Sequence, residues 1–325
     1  MENDDDDRYV LVVRKPCFDL PTACPDSLPV YIYLKMANID FDTKFNLTYP
    51  DSDQIPYIEF GTCVAYNNEK GGVIDSLKVD EIVNLDGVLS AETTAQLEST
   101  KAMISSWLAD AVMYELWMGG DRSQAYKIYF SDLPWPIGRI LQFKKSLEVK
   151  QVLGITKLNA ERREEEIYRR ATIAYNSLST MLGEEKYFAD NRPTSLDAVF
   201  LGHALFTLHV LPETSQLRAK LLDHANLVRY SENLKFEFLE PDISSVPGSL
   251  SNPSSSSVPR RRPQWRSRVP PRQPKREKTY EEKKFIKRGK FFLAAQVISV
   301  LIYLSLAHGG DAELEEDNDA MDYDD

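Results

Sequence analysis

The order of the secondary-structure signals in the first ninety residues constrains the fold of this chain most strongly. Short apolar or alternating runs have the length of β-strands, and two intervening stretches have the character of helices. The strands are predicted at residues 9–15, 41–47, 55–60 and 63–66, and the helices begin after Pro29 and at Val73, the second continuing to residue 88. The predicted order is therefore β-α-β-β-β-α.

After residue 90 the pattern indicates helices only. Apolar residues recur at helical spacing over residues 96–118 and 167–181, and Gly119 and Gly183 follow these two segments. Thr194 and Asp197 have the Thr-x-x-Asp spacing of a capping box, which predicts a helix over residues 198–211. A last helix is predicted over residues 216–227. The fold class is α/β plus all-α.

This order of elements, with a proline at the start of the third strand, resembles that of glutathione transferases. The resemblance implies a thioredoxin-like N-terminal domain over residues 9–90 and an all-helical, glutathione-transferase-like C-terminal domain over residues 91–240. It also implies a cis peptide bond between Ile55 and Pro56, and it places Asp75 and Ser76 where these enzymes hold the glutamyl part of glutathione. Any vestigial glutathione-like site would consist of these four residues.

Two longer motifs resemble the metaxin family in its plant form. They are CFDLPTACPDSLP, which begins at Cys17, and FADNRPTSLDAVFLGHA, which begins at Phe188. The resemblance implies a non-catalytic subunit of the mitochondrial outer-membrane sorting and assembly machinery (SAM complex), with no cofactor. Its implied partners are the barrel-forming subunit, β-barrel precursor proteins and subunits of the outer-membrane translocase.

A glutathione-dependent transferase tethered to a membrane is the main enzymatic alternative. Such an enzyme needs a thiolate-stabilising side chain near the start of the first helix, and Cys17, Cys24 and Ser27 are the chemically suitable residues. The proline-rich loop around them is longer than a compact thiol site requires, which favours the binding protein over the enzyme.

The histidines do not form a pattern that binds a metal. His203 and His209 are six residues apart on a predicted helix, so they point to different faces, and His224 and His308 have no local ligand partners. We therefore predict no metal site.

Residues 291–308 form an apolar segment whose length fits a bilayer. Its 18 residues would span about 27 Å as a helix, close to the thickness of the hydrocarbon core. The flank preceding it is basic and the residues after it are acidic, which predicts a transmembrane helix rather than a core helix. The apolar residues of this predicted anchor are Phe291, Phe292, Leu293, Val297, Ile298, Val300, Leu301, Ile302, Leu304 and Leu306. The basic flank consists of Lys283, Lys284, Lys287, Arg288 and Lys290.

Charge along the chain sets the expected topology and location. Residues 1–8 and 309–325 are acidic, and residues 241–290 form a linker rich in Ser, Pro and Arg that is predicted to be disordered. Because basic flanks stay in the cytosol, the bulk of the chain is predicted to be cytosolic, with a tail-anchored single span and the acidic tail in the intermembrane space. An adaptor of the same fold in the endoplasmic reticulum is the alternative location.

The remaining composition excludes several classes of protein. The net charge of −11 argues against binding of nucleic acid. The 3 cysteines show no Cys-x-x-Cys spacing, which favours a reducing compartment, and the acidic N-terminus has the features of neither a secretory signal nor a matrix-targeting peptide.

Overall fold

The N-terminal part of the chain folds around a four-stranded mixed β-sheet. The computed structural model describes residues 8–47, 52–61, 63–120, 122–189, 191–239 and Ser299. The strands are β1 (Tyr9–Val13), β2 (Phe41–Phe45), β3 (Tyr57–Phe60) and β4 (Cys63–Tyr66), in the spatial order β2-β1-β3-β4. Strand β1 pairs parallel with β2 and antiparallel with β3, and β3 forms a hairpin with β4.

Two helices complete this part of the fold. Helix α1 (Ser27–Met36) provides the crossover that the parallel pair β1–β2 requires, and α2 (Gly72–Val79) follows β4. The predicted order β-α-β-β-β-α is therefore confirmed. The predicted extension of the second helix to residue 88 is wrong. Glu81 adopts a φ of 55°, which ends the helical conformation, and the N–H groups of Ile82 and Val83 both donate to the Leu77 carbonyl.

The rest of the described chain is helical, as predicted. Two five-residue segments, Ile104–Leu108 and Tyr126–Phe130, have π-helical geometry. The helices are α3 (Ala91–Met103), α4 (Ala109–Trp117), α5 (Ser123–Ala125), α6 (Ile137–Val152), α7 (Ala160–Leu182), α8 (Ser195–His209), α9 (Gln216–Leu222) and α10 (Ala225–Phe238). The single helix predicted over residues 216–227 is wrong, since α9 ends at Leu222 and α10 begins at Ala225. The sequence prediction did not include α5 or α6.

Helices α1 and α8 form the main contact between the sheet and the helical bundle. Both are buried on most sides, and one hydrophobic core runs continuously through the two parts of the fold. Gly202 permits the close approach, because a Cβ atom at this position would lie 2.6 Å from Cγ of Pro29. The sheet and the bundle therefore pack as a single body.

The predicted linker, the acidic tail and the predicted anchor lie outside the described residues, apart from Ser299. Contacts divide the chain into two units, Met1–Asn252 and Pro253–Asp325, and the second contributes only this serine to the description. No helix within the described ranges is long and apolar enough to span a bilayer. The anchor at residues 291–308 therefore stays a prediction.

Candidate functional site

A cleft of about 620 Å³ is lined by α1, by the start of α2 and loops of the N-terminal part of the fold, and by helices α4, α6 and α8. The peptide bond between Ile55 and Pro56 is cis, and Ile55 lines the cleft together with Gly71 and Gly72 at the start of α2. This is the position at which the resemblance to glutathione transferases places a binding site. The cleft is accordingly the first candidate for a functional site.

The polar groups of the cleft come from distant parts of the sequence. Arg14 follows β1, where its guanidinium donates to the Ser52 carbonyl at 2.9 Å and lies 5.2 Å from the ring centre of Tyr129. Asp26 faces the cleft with an exposed side chain, and partial desolvation by the cleft walls raises the pKa of its carboxyl, while the positive charges of Arg14 and Lys145 lower it. Sequence analysis did not identify Arg14, Asp26, Tyr129 or Lys145, because no local motif joins them.

The three side chains considered for thiolate stabilisation are poorly placed for that chemistry. Burial raises the pKa of Cys17, although the nearby Lys127 lowers it in part, and a raised pKa disfavours a reactive thiolate. Cys24 lies in the cleft wall with 1% of its surface exposed, and its Sγ is 3.6 Å from the Tyr129 hydroxyl. Ser27 is fully buried and does not line the cleft.

Asp75 and Ser76 are on α2, but neither lines the cleft. The Ser76 hydroxyl donates to the Gly72 carbonyl at 3.0 Å, and it also lies 3.3 Å from a carboxylate oxygen of Glu69. Asp75 lies 3.5 Å from the amine of Lys78. The structure thus brings Ile55 to the cleft and leaves Asp75 and Ser76 in local contacts.

The N-terminus of α8 is held by two buried carboxylates, one from each part of the fold. The capping box of Thr194 and Asp197 is present, and Asp197 Oδ2 accepts from the backbone N–H and the hydroxyl of Thr194 at 2.9 and 2.7 Å. Its Oδ1 accepts from the Phe188 N–H at 3.1 Å and from the Tyr230 hydroxyl at 2.8 Å. Burial raises the pKa of Asp197, while these hydrogen bonds act in the opposite direction.

The second carboxylate, Asp86, reaches the same helix end from the loop after α2. It accepts from the backbone N–H of Ser195 at 2.8 Å and from the Ser195 hydroxyl at 2.5 Å, and it pairs with Lys78 at 2.8 Å. Burial opposes both charges, but the ion pair prevails, so the pKa of Lys78 is raised and that of Asp86 is lowered. This cluster is a structural contact between the two parts of the fold, and it lies outside the cleft.

His203 lies in the wall of the cleft and is hydrogen-bonded within the protein. His203 Nε2 is 2.7 Å from the Tyr175 hydroxyl, and burial lowers the pKa of this imidazole to about 3, so it is neutral at physiological pH. Across the described residues, no group of three or more His, Cys, Asp or Glu side chains is arranged to hold a metal ion.

Comparison with known proteins assigns the fold and the family. Residues 25–122 match the glutathione S-transferase N-terminal domain, and residues 171–234 match the glutathione S-transferase C-terminal domain. A glutathione S-transferase from Methylobacterium radiotolerans, solved with glutathione sulfonate, is 14% identical with a TM-score of 0.47, covering 77% of this chain and 100% of that structure. The two domain matches support the thioredoxin-like and helical domains that were predicted.

Relatives that align over most of their length identify the family of this chain. The mitochondrial outer membrane import complex protein METAXIN of Arabidopsis thaliana is 53% identical over 322 residues, which cover 98% of this chain and 100% of the relative. The chain belongs to the metaxin family. Human Metaxin-2 is 26% identical over 66% of this chain and 82% of its own length. The metaxin resemblance drawn from the Cys17 and Phe188 motifs is confirmed, and the Phe188 motif contains the Thr194–Asp197 capping box of this metaxin.

Proposed function

We propose that this protein is a subunit of the mitochondrial outer-membrane import machinery that binds its partners and catalyses no reaction. The observation that carries the proposal is the 53% identity, over almost the whole of both chains, to a protein named for the outer-membrane import complex. The partners we propose are the barrel-forming subunit of the sorting and assembly complex and β-barrel precursor proteins. Their engagement would help precursors enter the membrane.

Copurification and import assays test this function. The tagged full-length chain should copurify with the barrel-forming subunit from mitochondria solubilised in mild detergent. Mitochondria depleted of the protein should integrate a radiolabelled β-barrel precursor several-fold more slowly, while a precursor destined for the matrix is the control. Unchanged integration of the β-barrel precursor would contradict the proposal.

The surroundings of the three candidate side chains support the non-catalytic part of the proposal. Cys17 has a raised thiol pKa, Cys24 is packed against Tyr129, and Ser27 does not line the cleft. We expect no conjugation of glutathione to an electrophile such as chlorodinitrobenzene, and no retention on immobilised glutathione.

The glutathione-dependent transferase is retained as the second candidate because a cleft is present at the expected place and the domain matches are to glutathione S-transferases. Turnover by the wild-type chain that is lost in Cys17→Ser, Cys24→Ser or Ser76→Ala would favour the enzyme. Equal residual rates in all four proteins would support the binding subunit.

A further inference from the structure

Helix α6 turns its large apolar side chains towards solvent. Ile140 and Phe143 are 46% and 53% exposed, and Ile137 and Leu147 are exposed to a similar degree. Trp135, which lies just before the helix, is 79% exposed. The spacing of the four helical residues places them on one side of α6. These five residues are called the α6 face below.

The opposite side of α6 packs on the protein through Val149 and through small and polar residues. The Gln142 amide donates to the Arg122 carbonyl at 2.8 Å, and the Ser146 hydroxyl donates to the Trp117 carbonyl at 3.2 Å. Gly138 is also buried on this side. Because these hydrogen bonds satisfy buried polar groups, rotation of the helix to bury its apolar residues would leave those groups without partners. The exposure of the α6 face is therefore built into the fold.

Positive charge surrounds the α6 face, although the chain as a whole is acidic at −11. Residues 122–157 contain 7 Lys or Arg and 2 acidic residues, counted directly from the sequence. One of the acids, Asp132, is paired with Lys15 at 2.5 Å. The other acid, Glu148, lies on α6, 3.6 Å from the amine of Lys144 and 3.1 Å from that of Lys145, so two lysines share one carboxylate. Lys144 follows Ile140 by one helical turn, and its side chain is 67% exposed. Lys150 lies two turns after Phe143, on the same side of the helix.

We propose that the α6 face docks onto the anionic surface of a lipid bilayer. An exposed apolar side bordered by cations, with a tryptophan at its edge, is the arrangement of helices that lie in the plane of a membrane interface. The apolar groups enter the boundary between headgroups and acyl chains, while the lysines contact lipid phosphates. A protein groove would explain the apolar residues but not the cluster of cations around them. The inference rests on the proposed function only in placing the chain at a membrane.

Depth-dependent quenching tests the contact in the full-length chain. The protein is reconstituted into nanodiscs of phosphatidylcholine with or without phosphatidylinositol, using lipids brominated close to the headgroup as quenchers. The difference in fluorescence between the wild type and Trp135→Phe isolates the signal of Trp135 from that of Trp107, Trp117 and Trp265. We expect this signal to be quenched in the anionic discs, and the quenching to fall by at least about half at 1 M salt, where charges are screened within about 3 Å.

Substitutions on the α6 face are matched by substitutions of exposed apolar residues elsewhere. Ile140→Ser with Leu147→Ser should abolish the quenching of Trp135, and Lys144→Glu with Lys150→Glu should reduce it by at least about half. Leu222→Ser with Phe236→Ser, which removes exposed apolar side chains from α9 and α10, should leave it unchanged.

Three results would overturn the proposal. The first is equal Trp135 fluorescence in brominated and unbrominated anionic discs. The second is a protein occupant, shown by loss of a copurifying subunit in Ile140→Ser with Leu147→Ser while Trp135 remains unquenched by lipid. The third is a second copy of the chain, shown by an oligomer that these substitutions dissociate. Failure of the proposed function would instead appear as normal precursor import with the quenching of Trp135 intact.

Discussion

Asp197 shows how a single side chain can connect several segments. Its two carboxylate oxygens accept four hydrogen bonds, from the backbone of Phe188, the backbone and hydroxyl of Thr194, and the hydroxyl of Tyr230. The donors come from the loop before α8, from the start of α8 and from α10. A residue recognisable from sequence as a helix cap is therefore also a tertiary contact.

Replacement of Asp197 should destabilise the fold far more than loss of an ordinary cap. Asp197→Ala leaves four donors without their acceptor, and each unpaired buried donor costs about 1–3 kcal/mol, so we expect a loss of at least about 3 kcal/mol. The control is Ser90→Ala at the exposed start of α3, where the Ser90 hydroxyl loses its bonds with the N–H and the hydroxyl of Thr93, at a cost of about 1 kcal/mol. Urea unfolding of the full-length chain in mild detergent measures both. Equal losses would contradict the tertiary role of Asp197.

His203 should make the fold sensitive to mild acid. Its pKa is about 3 in the folded chain and about 6.5 when unfolded, so the unfolded state binds more protons between these values and stability falls as the pH drops below 6.5. The loss should reach about 2 kcal/mol at pH 5 relative to pH 8.

The pH dependence of unfolding separates this effect from other titrations. In His203→Gln, the free energy of unfolding should no longer show this decrease between pH 8 and pH 5. Tyr175→Phe removes the hydrogen bond to His203 but keeps the imidazole, so it should lower stability while the slope remains. Identical slopes in the wild type and His203→Gln would exclude the histidine as the cause.

At the scale of elements, α1 and α8 depend on a close approach at one glycine. A Cβ atom at position 202 would lie 2.6 Å from Cγ and 2.9 Å from the backbone nitrogen of Pro29, both closer than ordinary contacts. The two helices therefore cannot keep their spacing if Gly202 gains a side chain.

Gly202→Ala should destabilise the chain by about 1–3 kcal/mol, the usual effect of overpacking a core. Pro29→Ala shortens the opposing side chain, so the double variant should recover part of this loss, while the clash with the backbone nitrogen remains. Thermal unfolding of the four proteins forms a double-mutant cycle. Strict additivity of the two substitutions would show that the helices do not meet at this point.

The ion pair of Lys78 and Asp86 joins α2 and its following loop to the start of α8. Asp86→Ala would remove the nearest carboxylate from the buried amine of Lys78, which would keep the more distant Asp75 and Glu98 at 3.5 and 3.6 Å. It would also deprive the Ser195 N–H of its acceptor, so we expect a loss of about 3 kcal/mol. The combination Lys78→Met with Asp86→Leu removes both charges and should be less destabilising than Asp86→Ala alone. The test compares the denaturant midpoints of the two variants, provided that the dependence of the unfolding free energy on denaturant is the same in both. A lower midpoint for the double variant than for Asp86→Ala would contradict the prediction.

Sequence patterns predicted those elements whose signals are local. The capping box at Thr194 lies within four residues and could be identified directly, whereas the Asp86 carboxylate that binds Ser195 comes from 109 positions earlier. The α6 helix was missed because its buried side contains Gly138, Gln142 and Ser146, so its apolar periodicity does not mark the protein core. The polar residues of the cleft also come from separate segments and have no common motif.

At the scale of the whole molecule, the sequence predicts a connection between the folded unit and a membrane. The predicted anchor at residues 291–308 would place the folded bulk in the cytosol and the acidic tail in the intermembrane space. Val297→Lys with Leu301→Lys should release the protein from mitochondria in alkaline carbonate, since each charge at the centre of a span costs about 3 kcal/mol. Leu314→Lys in the acidic tail is the control and should remain in the membrane.

Protease protection tests the orientation. An epitope after Asp325 should survive external protease while the outer membrane is intact, and an epitope before Met1 should be digested. Digestion of both epitopes in intact mitochondria, with an intermembrane-space marker preserved, would contradict the predicted orientation.

The pairing of α1 with α8 has a consequence during synthesis of the protein. Residues Ser27–Met36 emerge from the ribosome long before Ser195–His209, so the apolar surface of α1 stays uncovered while more than half of the folded unit is translated. We therefore expect the sheet and α1 to reach their final packing only after α8 has been synthesised. During that interval the exposed apolar surface of α1 can bind chaperones that hold nascent chains.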